Sequence, residues 1–218
     1  MATKGVAFKR DDSIIEKLAT KPLVWIIFLS IVFTYPIYRS LNRSLPAELP
    51  ILFKLQSFEF QTEQNEKINN AILNDRLSII HFHDFSCKTA ECDGKLRGLQ
   101  KIQKRVRGLG TNMAIVSLNA APEKVSLKDL YNVSRSYDSN PFVWKFVTAE
   151  RAKLKEFANN SLKVPFMINE QGQNVYSDRM FLVDKKGNVR AFYGHDKESV
   201  DRMMIDVGLL INAAFSKS

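Results

Sequence analysis

The chain has 218 residues, 45% of them apolar, and its 32 Lys and Arg outnumber 23 Asp and Glu to give a net charge of +9. One globular domain with a sizeable core is the expectation at this length. The two cysteines are too few for a disulfide-built scaffold but enough for one redox or metal pair. The basic balance suits nucleic acid, an acidic partner or an anionic membrane surface, and no nucleic-acid motif supports the first.

The first recognisable element is PLVWIIFLSIVFTYPIY, between Lys21 and Arg39, which is free of charge and bracketed by Trp25 and Tyr38. It reads as a membrane-spanning helix over residues 22–39, a short one: the stretch from Leu23 to Tyr38 makes about 24 Å of helix against a hydrocarbon layer of about 30 Å. A cleaved signal peptide is the alternative. The long polar lead and the lack of a small-residue cleavage site favour an uncleaved signal anchor. Lys4, Lys9, Arg10, Lys17 and Lys21 precede the stretch and Arg39 and Arg43 follow it, so residues 1–21 are expected in the cytoplasm and the rest across the membrane. In a bacterium this means a single-pass inner-membrane protein with a periplasmic domain. Residues 40–50, with Pro46 and Pro50, read as a linker, and residues 51–218 as the domain.

Within that domain, residues 51–60 suit an early strand or hairpin and residues 66–73 a short helix. Residues 77–85 read as the central strand, and a helix follows from about Cys92 to Val106, with Leu96, Leu99, Ile102 and Val106 on one stripe. Its basic residues form a solvated face or a surface for an acidic partner or phospholipid. Residues 113–118 give a buried strand, a helical region follows to Tyr137, and residues 142–147 and 149–158 give a strand and a helix. Residues 181–183 and 189–193 form a hairpin about Asp184-Lys185-Lys186-Gly187. Asp196 can cap a last helix whose methionines, Met203 and Met204, fall at core spacing.

The chemistry concentrates in IIHFHDFSCKTAEC, where Cys87 and Cys92 stand at the end of the most strand-like run. In one regular helix at this spacing their Cα atoms would be roughly 8–9 Å apart, beyond the disulfide range of about 4.4–6.8 Å. Cys87 is therefore expected in the loop. Lys88 and a helix N-terminus favour thiolate there, whereas Asp84 and Asp93 oppose it. Two inert cysteines are the structural alternative.

The order strand, cysteine turn, helix, strand, helix, terminal hairpin and helix is that of a thioredoxin-like α/β domain, and over roughly residues 49–211 the sequence resembles the Sco/SenC family. IIHFHDFSC stands where that family has the strand leading to its first cysteine, Asn140-Pro141 with Trp144 resembles its Asn-Pro-x-x-Trp segment, and FLVDKKGNVRAFYG resembles its closing hairpin. The resemblance implies a membrane-tethered protein that binds copper, helps assemble the binuclear copper centre of cytochrome c oxidase, and has a related thiol-reducing activity.

The chain departs from the pattern at the site itself. Cys87 and Cys92 are separated by four residues in place of three, Lys88 and Asp93 replace the prolines, and the family's ligand histidine falls on Tyr176. Copper(I) is satisfied by two thiolates, whereas copper(II) wants the missing nitrogen donor. His83 beside Cys87 is the candidate third ligand, with His81 on the same strand face and His195 after the hairpin as further substitutes. Three readings follow: copper(I) handling or reduction of a disulfide in an oxidase subunit by Cys87 and Cys92, metal-free thiol–disulfide exchange on another exported thiol protein, or a binding protein that kept the fold alone.

Overall fold

The computed structural model describes residues 21–41, 49–170, 172 and 174–215, and the chain divides into two compact units after Ala47. In the first unit, the uncharged apolar run forms helix α1 (Pro22–Leu41). Pro22 sits at its first position, where a missing N–H costs nothing, and Leu23, Ile27, Phe33 and Tyr38 are among its exposed side chains. Among the described residues no helix is long and apolar enough to cross a membrane. Residues 22–38 extend about 25 Å, short of the ~30 Å hydrocarbon layer. The expected span thus takes the form of an apolar helix that falls short of a full crossing. Lys4, Lys9, Arg10, Lys17 and Arg43, on which the expected orientation rests, and most of the expected linker lie outside the described residues.

The second unit is a mixed α/β fold. Its strands are β1 (Phe53–Lys54), β2 (Glu59–Thr62), β3 (Lys67–Asn69), β4 (Leu77–His83), β5 (Met113–Asn119), β6 (Trp144–Thr148), β7 (Phe166–Ile168), β8 (Asn174–Tyr176), β9 (Met180–Val183) and β10 (Asn188–Tyr193). Eight of them form one sheet in the order β1-β10-β9-β4-β5-β6-β2-β3, and β7 pairs with β8 separately. The β4–β5 and β5–β6 pairs are parallel, which requires crossovers. Helices α2 (Ala90–Arg105) and α3 (Leu127–Ser136) supply them. The remaining pairs are antiparallel.

Every residue of β4 and β5 is buried, because both faces of the central sheet are covered. Alternation divides β4 between two cores. Leu77 and Ile79 meet Leu96, Leu99 and Ile102 of α2 and Met203 and Val207 of α5 (Lys197–Phe215). Ile80 and Phe82 meet Phe58, Phe60, Phe157 and Phe166 on the other face. His81 and His83 share the parity of Leu77 and Ile79 and so point to the α2 side.

Several local expectations change. Residues 51–60 do not make a hairpin: β1 pairs with β10 near one edge of the sheet and β2 with β6 and β3 near the other. Residues 66–73 begin as strand β3, because Lys67–Asn69 pairs with Glu59–Gln61, and only Asn70–Leu73 turns into a 3-10 helix. Helix α4 (Arg151–Glu156) continues through a π-helical turn, Phe157–Leu162, ended by Lys163 in the left-handed region at φ 57°. The short pair β7–β8 was not anticipated at all. The hairpin of β9 and β10 and the capping of α5 by Asp196, whose Oδ1 accepts the Ser199 N–H at 2.9 Å, follow expectation, and Met203 is fully buried.

Candidate functional site

Strand β4 delivers the chain to a tight turn. Asp84 Oδ1 accepts the Ser86 N–H at 2.9 Å and the Ser86 hydroxyl at 2.6 Å, and the Cys87 N–H donates to the Asp84 carbonyl at 3.1 Å. These bonds stop the strand before Cys87 and leave it in a loop. Two residues later Thr89, extended and with a side-chain oxygen, begins α2 as its N-cap. Cys92 therefore lies in the first turn of the helix, and Cys87–Cys92 forms a disulfide with Sγ–Sγ 2.07 Å and Cα–Cα 6.2 Å. Loop placement of Cys87 is what brings the pair into bridging range. Both cysteines are partly exposed.

Tyr176, at the end of β8, reaches this turn from the other side. Its hydroxyl accepts the Asp84 N–H at 3.2 Å, and burial raises its pKa, so it is a neutral phenol held against the cysteine loop. Phenol at this position serves as a structural tie and is a poor metal donor.

The three histidines converge although His195 is remote in sequence. Ring centroids lie 6.3 Å apart for His81 and His83 and 5.8 Å apart for His81 and His195. Trp144 Nε1 donates to Ser117 Oγ at 2.8 Å, which leaves the hydroxyl proton free to donate to His81 Nε2 at 2.6 Å. Among the described residues, His81 Nδ1, His83 Nε2 and His195 Nε2 have no hydrogen-bond partner. Burial lowers the pKa of all three, His83 to about 4. Lys95 pushes His83 and His195 further in the same direction. That lysine is itself held by Glu91 and Asp178, each at 2.9 Å. His195 Nε2 is 3.8 Å from Asp178 Oδ1, too long for a hydrogen bond to a neutral ring.

Among the described residues no group of three or more His, Cys, Asp or Glu is arranged to hold a metal ion. Of the expected ligands Cys87, Cys92 and His83, the two sulfurs stand joined in the oxidised state of the pair, in which neither is a thiolate, and the Lys95 ammonium lowers the proton affinity of His83. This donor set does not fit a resident copper(II), for which Tyr176 supplies no replacement nitrogen.

Sequence reading located Cys87, Cys92 and the shared face of His81 and His83. It missed Thr89, although Thr three residues before Cys92 at the start of an amphipathic run is an N-cap signature. It also missed the Trp144–Ser117–His81 chain, which the register pairing of His81 with Ser117 across β4 and β5 creates.

A thioredoxin-like α/β domain with a disulfide at the turn between its central strand and first crossover helix is the class this architecture defines. No model of a known protein family matches the sequence. The SCO1 protein homolog of Bacillus subtilis (strain 168) is 23% identical over 161 residues, which cover 72% of this chain and 83% of that protein. The fold is shared with a SCO1/SenC family lipoprotein from Bacillus anthracis str. Ames (TM-score 0.68, 18% identity, 77% of this chain and 99% of that one). It is shared also with BsSco, described as a member of the Sco family of cytochrome c oxidase assembly proteins with a disulfide switch (TM-score 0.64, 21% identity, 74% and 96%). Arabidopsis thaliana ScoI, solved with copper bound, is a third such structure (TM-score 0.61, 21% identity, 73% and 98%). In sequence the chain is thus similar to a SCO1 homolog, and in fold to Sco/SenC structures.

Proposed function

We propose that this protein is a membrane-tethered dithiol–disulfide protein that reduces a disulfide in a partner during assembly of a cytochrome c oxidase copper centre. The observation that carries the reading is the Cys87–Cys92 disulfide, partly exposed at the loop–helix junction. A dithiol couple needs access and a workable thiolate, and the N-terminus of α2 favours the latter. The oxidase context comes from the similarity to BsSco, a member of the Sco family of cytochrome c oxidase assembly proteins.

Copper(I) is the second reading, as cargo and only in the reduced state. Reduction would free two thiolates, a donor pair suited to the soft ion and needing no histidine. Arabidopsis ScoI with copper bound supports this by kinship. We further propose that α1 tethers the domain to the inner membrane, its short length met by local thinning of the bilayer and snorkelling of flanking residues, with the N-terminus cytoplasmic and the domain periplasmic, where an exported thiol protein can meet it. The relative described as a lipoprotein is consistent with a membrane-associated family member.

Two assays separate the readings. The reduced full-length protein is expected to reduce a peptide disulfide with loss of its own two thiols, and a Cys87→Ser, Cys92→Ser double variant is expected to do nothing. Copper(I) titration in parallel is expected to give binding to the reduced protein and none to the oxidised one. Absence of peptide reduction would sink the first reading, and binding undiminished in the double variant would sink the second. Failure of both assays would leave a binding protein that kept only the fold.

A further inference from the structure

Thr89 touches both halves of the cysteine pair. Its Oγ1 accepts the Cys92 N–H at 3.3 Å, which caps α2, and lies 3.3 Å from Cys87 Sγ. A hydroxyl has one proton and two lone pairs. The backbone N–H can only donate, so it occupies a lone pair, and a sulfur in a disulfide has no proton to give. The hydroxyl proton of Thr89 is therefore the one that lies between Oγ1 and Cys87 Sγ. Among the described residues Cys92 Sγ receives no comparable donor.

We propose that Thr89 makes Cys87 the attacking sulfur of the pair, by donating its hydroxyl proton to the sulfur that carries negative charge once the disulfide is open. This rests on the dithiol–disulfide reading above. Cys87 thiolate attacks one sulfur of the partner's disulfide. A Cys87–partner S–S bond forms, the partner's S–S bond breaks, and the partner's other sulfur leaves as thiolate and takes a proton from water. Cys92, having lost its proton to solvent, then attacks Cys87 Sγ. The Cys87–Cys92 bond forms and the second partner sulfur leaves, so two electrons pass from the pair to the partner's disulfide, which is the oxidant. Donors aimed at developing charge stabilise such steps in proportion to how well they are held beforehand. Thr89 is held by its cap to the Cys92 N–H and sits only two residues from Cys87, so the contact persists when the disulfide opens.

The capping role and the sulfur-directed role predict different outcomes. The chain has two cysteines, so Cys92→Ser and Cys87→Ser each leave a single thiol in the full-length protein, whose alkylation by iodoacetamide needs no partner. Thr89→Gly removes the hydroxyl while keeping most of the capping energy. In the Cys92→Ser background this substitution is expected to slow alkylation of Cys87 at neutral pH by about three- to tenfold, the scale of one typical hydrogen bond in partly exposed surroundings. Thr89→Ser is expected to restore the rate. In the Cys87→Ser background alkylation of Cys92 is expected to change by less than about twofold, because the hydroxyl proton is not directed at it. Equal slowing of both cysteines would assign Thr89 to helix capping alone, and an unchanged Cys87 rate with Thr89→Gly would overturn the proposal outright. Either result is readable even if the protein proves unable to reduce any partner, since that failure would be seen in the peptide assay and not here.

Discussion

His83 sits at 2% exposure with a pKa near 4 against an ordinary value of 6.5, burial being the largest cause and Lys95 the next. Asp84 and Asp178 pull the other way without restoring it, and His195 adds to the depression. The unfolded chain therefore binds a proton between about pH 6.5 and 4 that the native ring refuses, so stability falls as pH drops through that window. His83 alone accounts for about 3 kcal/mol across it, on the scale of 1.36 kcal/mol per pKa unit. His81 and His195 act in the same direction. Denaturant unfolding at several pH values is expected to show this acid loss, and His83→Gln to flatten part of it; an unchanged slope in the variant would place the titration elsewhere. The cysteines were legible because residue type, loop position and spacing are all local. His195 was not, because its approach to His81 depends on β10 ending beside the central strand through β9, a long-range fact that no periodicity carries. Tyr176 was legible only by counting back from the Asp184 turn, and its tie to the Asp84 N–H gives that position a structural role.

Elements with strong periodicity were the easier part. Helix α2, strands β4 and β5 and the β9–β10 hairpin follow from apolar spacing and turn residues, and their burial agrees with it. Leu99 is fully buried between α2 and the sheet; Leu99→Ala is expected to cost about 2–5 kcal/mol of unfolding free energy, measured by denaturant titration, through lost transfer energy and a cavity. A loss below about 1 kcal/mol would mean that the helix is packed less firmly than described. Helix α3 starts with a reciprocal capping box, in which Ser126 Oγ accepts the Asp129 N–H at 3.2 Å and Asp129 Oδ2 accepts the Ser126 N–H at 3.0 Å. Ser126→Ala should therefore cost about 1 kcal/mol by the same measurement. The pairing of β1 and β2, and strands β3, β7 and β8 altogether, resisted sequence reading for a common reason. Each has four residues or fewer, too few for alternation to declare itself, and exposed Met167, Ile168 and Val175 in β7 and β8 break the apolar-in rule.

At the scale of the whole molecule, the proposed exchange activity rests on the disulfide at the loop–helix junction. The fold is that of Sco/SenC structures, and Tyr176 and the Lys95–Asp178 pair stand beside the cysteine loop and the histidines in place of a further nitrogen donor. Exchange between dithiol and disulfide survives those changes, because it asks only for two sulfurs that can meet and part. The apolar helix α1 adds a location: the full-length protein is expected to sediment with membranes and resist extraction by salt or alkali, whereas a chain lacking residues 1–41 is expected in the soluble fraction. Recovery of the full-length protein in the soluble fraction would remove the tether. The central claim, that Cys87 and Cys92 are a working redox couple, is tested most directly by equilibrating the purified full-length protein in a series of glutathione buffers and counting free thiols by mass after alkylation. The account predicts a single reversible two-electron transition between dithiol and disulfide, reached from either side. Cysteines that stay reduced in every buffer, or a disulfide that no buffer in the series opens, would contradict it.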